Sequence, residues 1–332
     1  MERKLISRPF LLSLCAAGML TTGLAAATPP TAVGDCDDAY FGITREPDFS
    51  RALRCYQSEK RWDLLIVMYL NGEGTPVDIG KAETLLQEWA REDQIPGGSL
   101  EARALRAAIE DRKQHQGTAY PRIDYCRDIA RDTLTLNFCG YVDAEIEEGR
   151  LDARMEEVRR RLTPAQRALF DRMKGAFSSF EGAEGGRVYD SIGGTARSLA
   201  AMGQTSFVRA QFSTVTEEII ERHALQPADP AAYEAADREL NQVYRDDLRQ
   251  FVADMSGTPS DDTRRQIALY KDAARKAQLR WLRYRDLYAD LARSLYPDRR
   301  PGFDPALSLK TALTRIRVDE LRHDPLGLSS GE

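Results

Sequence analysis

Apolar residues recur along this chain at intervals of three and four, and runs of alternating β-branched residues are nearly absent. The first period lines one face of a helix, whereas a half-buried strand would alternate with period two. Prolines at 47, 76, 96, 121, 164, 227, 230, 259 and 297 stand where such helices should start or stop. Between them run segments of Ala, Leu, Glu, Arg and Gln, all good helix formers. The pattern predicts an all-α fold, with a short helical-repeat cap followed by two helical-hairpin domains.

The most regular stretch is 233–295. Its first helix carries Ala236, Leu240, Val243, Phe251 and Met255 on one stripe. Its second carries Ile267, Ala274, Ala277, Trp281, Tyr284, Leu291 and Leu295, and the segment 256–262, with Gly257 and Pro259, joins the two. Asp237, Asn241 and Tyr244 share one face of the first helix, and Gln278, Trp281 and Arg285 share one face of the second. The expectation is a polar network across the helix pair that fixes its register, with a ligand surface as the alternative. Charge divides between the same helices. Residues 264–285 hold eight bases against Asp272 alone, and 229–254 hold seven acids and three bases. Pairing between the helices is the expected reason, and a basic groove for anionic cell-wall polymers is the alternative.

An internal echo runs through 36–91. Pro47-Asp48-Phe49-Ser50-Arg51-Ala52-Leu53 matches Val77-Asp78-Ile79-Gly80-Lys81-Ala82-Glu83 at an offset of 30. In each copy an Asp is placed to cap a helix, and an Ala one turn in allows close helix contact. Residues 64–70 should be the partner helix, closed by the turn Asn71-Gly72-Glu73-Gly74. The run Tyr69-Leu70-Asn71-Gly72-Glu73-Gly74-Thr75-Pro76-Val77-Asp78, followed by Lys81-Ala82, resembles the Sel-like repeats, helix-hairpin relatives of the tetratricopeptide family. One and a half repeats are too few for a solenoid groove, so 36–95 reads as a small cap. Pro96-Gly97-Gly98-Ser99 and the break at 117–121 bracket a charged helix, and 96–121 reads as a helical linker.

A second resemblance covers the C-terminal part. Ala236-Asp237-Arg238-Glu239-Leu240-Asn241-Gln242-Val243-Tyr244 comes first. Ala277-Gln278-Leu279-Arg280-Trp281-Leu282-Arg283-Tyr284-Arg285-Asp286 follows it. The two words together resemble the LprI-like lysozyme-inhibitor family, and Ala312-Leu313-Thr314-Arg315 with Asp319-Glu320-Leu321 supplies the family's later element. The chain departs from the family after Tyr284-Arg285-Asp286, where a cysteine is usual and Leu287-Tyr288-Ala289 stands. Residues 122–226 resemble a degenerate earlier copy of 229–328. Cys126 and Cys139 fall at the leading cysteine pair, and Asp152, Met155, Phe177 and Phe180 keep the frame. Glu156, Lys174 and Glu181 replace the polar signature. The resemblance implies a proteinaceous inhibitor of lysozyme or another peptidoglycan hydrolase, working without chemistry of its own.

The first residues set the compartment. Arg3, Lys4 and Arg8 precede a mostly apolar run at 9–24, and Ala25-Ala26-Ala27 offers a small-residue cleavage site. This predicts a signal peptide over 1–27, cut after Ala27, and a periplasmic or secreted protein. Cys15 raises a lipoprotein alternative, but Leu14 stands where a small residue is wanted. No later stretch is long and apolar enough for a transmembrane segment. The 332 residues carry 47 basic and 52 acidic side chains, net -5. Losing the signal removes three positive charges and one negative, leaving -7.

Four cysteines then remain, Cys36, Cys55, Cys126 and Cys139. An even count in an oxidising compartment reads as two disulfides, with three connectivities open. Cys36 and Cys55 flank the turn at 44–47 almost symmetrically, so antiparallel helices joined there would bring them together. Cys126 and Cys139 would be about 20 Å apart on one continuous helix, and a bridge needs Cα atoms within about 7 Å. Either the chain breaks near Asp132-Thr133, with Asp132 as an N-cap, or the partners lie elsewhere.

Other chemistry is sparse. An acidic chain is a poor nucleic-acid binder. His115, His223 and His323 are too scattered for a zinc site. There is no phosphate-binding glycine loop and no Ser-His-Asp order, and acids such as Glu145, Glu147 and Glu148 read as a solvated helix face. The expectation is a non-enzyme without cofactor, metal or nucleic acid, recognising a protein partner such as a cell-wall hydrolase. A periplasmic structural or adaptor protein, binding another envelope protein through its helical repeats, is the alternative.

Overall fold

The computed structural model describes residues 34–93, 99–115, 120–192, 194–255, 257, 260–297 and 302–323. The signal segment 1–27 lies outside them. The described chain is helical throughout, with no strand among these residues, as the period of its apolar positions predicts.

The first five helices are α1 (Asp35–Phe41), α2 (Phe49–Glu59), α3 (Trp62–Asn71), α4 (Ile79–Asp93) and α5 (Leu100–Gln114). The offset of 30 has a physical counterpart in hydrogen bonds. Asp48 Oδ1 accepts from Arg51 N at 2.9 Å, and Asp78 Oδ1 accepts from Lys81 N at 2.8 Å. Asp48 N donates to Ala39 O at 2.8 Å, and Asp78 N donates to Tyr69 O at 3.0 Å. Ala52 and Ala82 are both fully buried. Helices α1 and α3 each end on a left-handed glycine, Gly42 (φ 70°) and Gly72 (φ 74°). Gly74 also has positive φ, and a Cβ there would collide with the Phe49 carbonyl, so the second turn needs glycine for close approach as well as for conformation. Leu64, Leu65, Ile66, Val67 and Met68 are all buried. A helix apolar all round must be enclosed, and α3 is the axis of this unit.

Helix α5 is more than a linker. Its Ala102, Leu105 and Ile109 are buried in the first core, together with Ile123, Tyr125, Ile129, Ala130 and Cys139. The sequence reading took the Pro-Gly-rich breaks on either side as a boundary, yet the stripe between them packs against α3 and α4. A π turn, Tyr125–Ile129, then leads into α6 (Thr133–Arg161). Asp132 caps α6, accepting from Thr135 N at 2.8 Å. The buried Glu101 carboxylate of α5 accepts from Arg131 N (3.0 Å), Asp132 N (2.8 Å) and Thr135 Oγ1 (3.0 Å). The chain reverses there, and Cys126 is bonded to Cys139 with Cα atoms 5.5 Å apart. Cys36 is bonded to Cys55 across α1 and α2, with Cα atoms 5.3 Å apart.

The rest of the chain forms α6, α7 (Pro164–Ser191), α8 (Arg197–Thr216), α9 (Pro230–Met255), α10 (Asp261–Leu295) and α11 (Pro305–Arg322). Thr163 and Gln166 form a capping box at the start of α7. One cluster of buried side chains runs from Met155 to Leu321, so the two segments expected to form separate hairpins share a core. Its centre is aromatic: Phe177 stacks on Phe212 at 3.9 Å and meets Tyr284 at 5.3 Å, while Phe180 and Tyr284 stack at 6.0 Å. Helix α10 lies mainly along α7. Helix α8 packs on both α6 and α7, and α11 packs on both α9 and α10.

The helix pair expected at 233–295 is therefore corrected. Helix α9 rests chiefly on α11, and α10 on α7, because α11 takes the position against both. Among the described residues no ion pair joins α9 to α10. Most of their pairs lie within one helix, as in Arg264–Asp261, Arg265–Asp262, Lys276–Asp272 and Arg249–Asp246, and the others reach α7 or α11, as in Arg187–Asp247, Arg322–Glu239 and Lys310–Asp286.

Charged side chains hold this second core together at its centre. Glu184 of α7 is fully buried; it accepts from Arg187 Nη2 at 2.7 Å, Arg317 Nη2 at 2.7 Å and Gln204 Nε2 at 3.1 Å. Arg317 also donates to Glu320 at 3.0 Å and packs over the Phe180 ring. Arg187 donates to Tyr270 OH at 3.0 Å and reaches Asp247 at 3.3 Å, and Tyr270 OH donates to Asp247 at 2.6 Å. Five helices, α7 to α11, thus meet in one network. Burial alone would raise the Glu184 carboxyl, but the Arg187 and Arg317 guanidiniums overrule it and hold it well below its ordinary range. Glu320 goes the other way: burial, reinforced by the Glu184 charge and only partly opposed by Arg317, pushes it up to about 7.

Two stability predictions follow the signs of these shifts. Glu320 holds its proton more tightly in the folded state than the ordinary 4.5 allows, so its contribution to stability falls as pH rises from about 4.5 to about 7. Glu320→Gln should raise unfolding free energy at pH 8 by on the order of 2 kcal/mol and flatten its pH dependence between 5 and 8; a loss at pH 8 in chemical denaturation would contradict this. Glu184 has the opposite sign, and its contribution disappears as the medium becomes acid. Arg317→Met strands Glu184 and Glu320 without their shared cation and should cost about 3–5 kcal/mol at neutral pH, read in the same denaturation experiment.

Candidate functional site

A cleft of about 550 Å³ opens beside the buried network, between the C-terminal ends of α7 and α11 and the facing turns of α9 and α10. Arg187, Asp247 and Tyr270 reach it from the network, Phe251 forms an apolar wall, and Asp246 and Asp254 stand among its lining residues. Phe251 and Tyr270 pack ring to ring at 4.0 Å, which fixes the wall to the network. Asp246 accepts from Gln242 Nε2 at 2.9 Å and pairs with Arg249, and both hold its carboxyl below the ordinary range. Asp254 accepts from Gln250 Nε2 at 2.8 Å. His323 lies at the far end, stacked on Phe207 at 4.0 Å. The Tyr270 hydroxyl is pushed up by burial and by Asp247, so it stays a neutral donor. The lining sets Asp246, Asp247 and Asp254 against Arg187 and Arg322 beside an apolar wall, an excess of one carboxylate that suits a cationic or amide-bearing side chain of a partner.

The six polar residues singled out in the sequence do not meet across α9 and α10. Asn241 is exposed and bonds back to Asp237 of its own helix, through O at 2.8 Å and Oδ2 at 3.0 Å. Tyr244 is half-buried, its hydroxyl raised by burial and by Asp247. Gln278 accepts from Arg317 Nε at 3.4 Å, toward α11. Trp281 is buried in the core. Arg285 is buried too; it bonds to the neighbouring Asp286 at 3.0 Å and lies over the Trp281 ring. Gln278 is drawn to α11, whereas Arg285 stays with Asp286 of its own helix and lies also over the Tyr233 ring of α9.

Sequence reasoning passed over Glu184, Arg187, Gln204, Arg317 and Glu320. A signal was present. Phe177, Phe180 and Glu184 follow at three and four, and Leu309, Leu313 and Arg317 follow at four and four. A charged residue on an apolar stripe, with an opposite charge three residues on, marks a buried pair.

A second cleft, about 530 Å³, lies in the first unit between α3, α4 and the start of α6. Trp62, Trp89, Tyr125 and Phe138 line it, and Leu134 at its edge is 78% exposed. Trp62 Nε1 donates to Glu92 at 2.9 Å. Among the described residues, one group of ligand atoms lies close enough for a metal ion, that of Cys36, Cys55 and Glu59. Its two sulfurs are bonded to each other.

No curated protein and no solved structure matches the chain. The family model described as "Lysozyme inhibitor LprI" matches residues 229–321. That span covers α9, α10 and nearly all of α11, less than a third of the chain. Asp247, Tyr270, Gln278, Arg317 and Glu320 lie inside it, while Glu184, Arg187 and Gln204 lie before it. The last three helices of the protein are LprI-like, and their buried polar network is completed by α7 and α8.

Proposed function

We propose that this is an exported inhibitor of lysozyme or another peptidoglycan hydrolase, acting by binding alone. The observation that carries the reading is the LprI match over 229–321. Two disulfides support an extracytoplasmic location, since such bonds persist in oxidising compartments. Among the described residues no helix is long and apolar enough to cross a membrane. The signal peptide, with cleavage after Ala27, belongs to the same proposal. So does an earlier, degenerate LprI-like copy over 122–226. Its support is that α8 packs on α6 and α7 as α11 packs on α9 and α10, and that Phe177 and Phe180 meet Tyr284 across the core. The Sel-like reading of 36–95 rests on the repeated caps and backbone bonds thirty residues apart.

The cleft bordered by Asp246 and Asp254 is the contact we assign to the hydrolase. Many lysozymes are strongly basic, and ionised carboxylates on an acidic protein would steer them to it. A second reading, an adaptor for another envelope protein, is favoured by the aromatic cleft of the first unit and the exposed Leu134 beside it.

Purified protein should slow the clearing of a cell-wall suspension by lysozyme, less so at high salt. The double variant Asp246→Asn/Asp254→Asn should weaken inhibition by about tenfold or more while unfolding like the parent. No inhibition at tens of micromolar would remove the inhibitor reading. Recovery of a stoichiometric non-hydrolase partner from envelope extracts, lost in Leu134→Asp, would put the adaptor in its place.

A further inference from the structure

Helix α10 is the longest in the protein, and its two sides differ. One side is buried: it carries Tyr270, Ala274 and Ala277, and Trp281, Tyr284 and Tyr288 of the second core. The other side is open, and between 264 and 283 it carries Arg264, Arg265, Lys271, Arg275, Lys276, Arg280 and Arg283, all exposed. Local acids neutralise part of the row. Arg264, Arg265 and Lys276 pair with Asp261, Asp262 and Asp272. Arg280 donates to the Ser179 carbonyl at 3.2 Å, a neutral acceptor that leaves its charge intact. Lys271, Arg275 and Arg283 form no ion pair among the described residues. Leu269 and Leu279 stand on the same open side, 50% and 55% exposed.

We propose that this face of α10 docks on an anionic lipid bilayer surface. These cations span about 28 Å along the exposed half of one helix, and none of the clefts described above includes them. A ridge fits a plane, whereas a soluble polyanion strand is better held by a groove. The two leucines discriminate further: exposed apolar side chains among cations gain by entering the acyl boundary, and gain nothing from a dissolved polymer. Long Arg and Lys side chains can keep their charges at the headgroups while the leucines dip. A second copy of the chain is the weaker occupant. On the acidic helix α9, Glu234, Glu239, Asp246 and Asp247 are already paired with Arg238, Arg322, Arg249 and Arg187, which leaves Asp237 and Asp254 to face the basic residues of a second copy. The net charge of -7 on the mature chain does not oppose docking, because screening confines electrostatic interactions to about 8 Å at physiological salt. It instead orients the protein, with the basic ridge toward the lipid and the cleft at Asp246 left to one side.

The test is co-sedimentation of the purified full-length mature protein with phosphatidylglycerol–phosphatidylcholine vesicles and with pure phosphatidylcholine vesicles. Binding is expected to the first, falling with salt, and not to the second. Lys271→Gln/Arg275→Gln/Arg283→Gln should weaken it by on the order of 100-fold, about fivefold per charge. Leu269→Ser/Leu279→Ser should weaken it several-fold while keeping the salt dependence. All these positions are exposed, so circular dichroism and thermal unfolding should match the parent. Absence of binding to the anionic vesicles, or indifference to the triple variant, overturns the proposal. So does binding to polyphosphate without vesicle binding, or a dimer in size-exclusion chromatography that the triple variant dissolves. Lysozyme clearing should be unchanged in both variants, so this surface and the inhibitor reading fail independently.

Discussion

Glu184 sits at the point where the second core would otherwise come apart. A buried carboxylate is costly unless its lone pairs are filled, and here they are filled from three helices: Arg187 on its own α7, Gln204 on α8 and Arg317 on α11. The arginines carry the constraint outward. Arg187 fixes Tyr270 of α10 and Asp247 of α9, and Arg317 fixes Gln278 of α10 and Glu320 of its own helix. Hydrophobic burial is tolerant of a helix sliding or rotating by a fraction of a turn. Charged hydrogen bonds of this length are not, because a misplaced partner leaves an unpaired charge out of water. The network thus selects one register for five helices whose apolar faces alone would accept several.

The cleft with Asp246 and Asp254 inherits its shape from that register. Its inner wall consists of network members, and its outer wall, Phe251, is held by the ring of Tyr270. A cleft built on such support is held in shape by the network, and for the partner proposed above that would lower the entropic cost of binding. The LprI match ends at 321, yet the residues that complete the network lie at 184–204. The matched helices therefore depend on the segment before them for their buried charges, and the packed unit is larger than the matched one.

The first unit is held differently. Its core is formed by α3 and the stripes laid against it, and its ends are tied by the two disulfides and by the Glu101 carboxylate. Glu101 shows the same logic as Glu184 on a smaller scale: one buried carboxylate meets backbone donors at a chain reversal and makes an irregular turn specific. The repeat at an offset of 30 was legible because it rests on local chemistry. Asp48 and Asp78 act within three residues of themselves, and Gly42, Gly72 and Gly74 answer turns that any neighbouring residue would obstruct. The packing of helix α5 on α3 and α4 was not legible, for the complementary reason. Pro-Gly breaks announce that the chain turns, and they carry no information about where the next helix lands.

Period, capping and turn chemistry are properties of short windows, and from them the amino-acid sequence alone determined an all-α chain and offered Asp132 as a cap, while the pairing of Cys126 with Cys139 was left between alternatives that the tertiary structure decided. It also contained the LprI-like words of the last hundred residues. Which helix lies against which was decided only by the tertiary structure. An amphipathic stripe states that a face must be covered and is silent about the cover, so α9 and α10, neighbours in the chain, were read as a pair while α11 took the place between them. The polar residues near the seam, Asn241, Gln278 and Arg285, kept their positions and changed their partners. Glu184 and Arg317, 133 residues apart, carry no local sign of each other; their pairing exists because the packing of five apolar faces leaves one buried place where two opposite charges must meet.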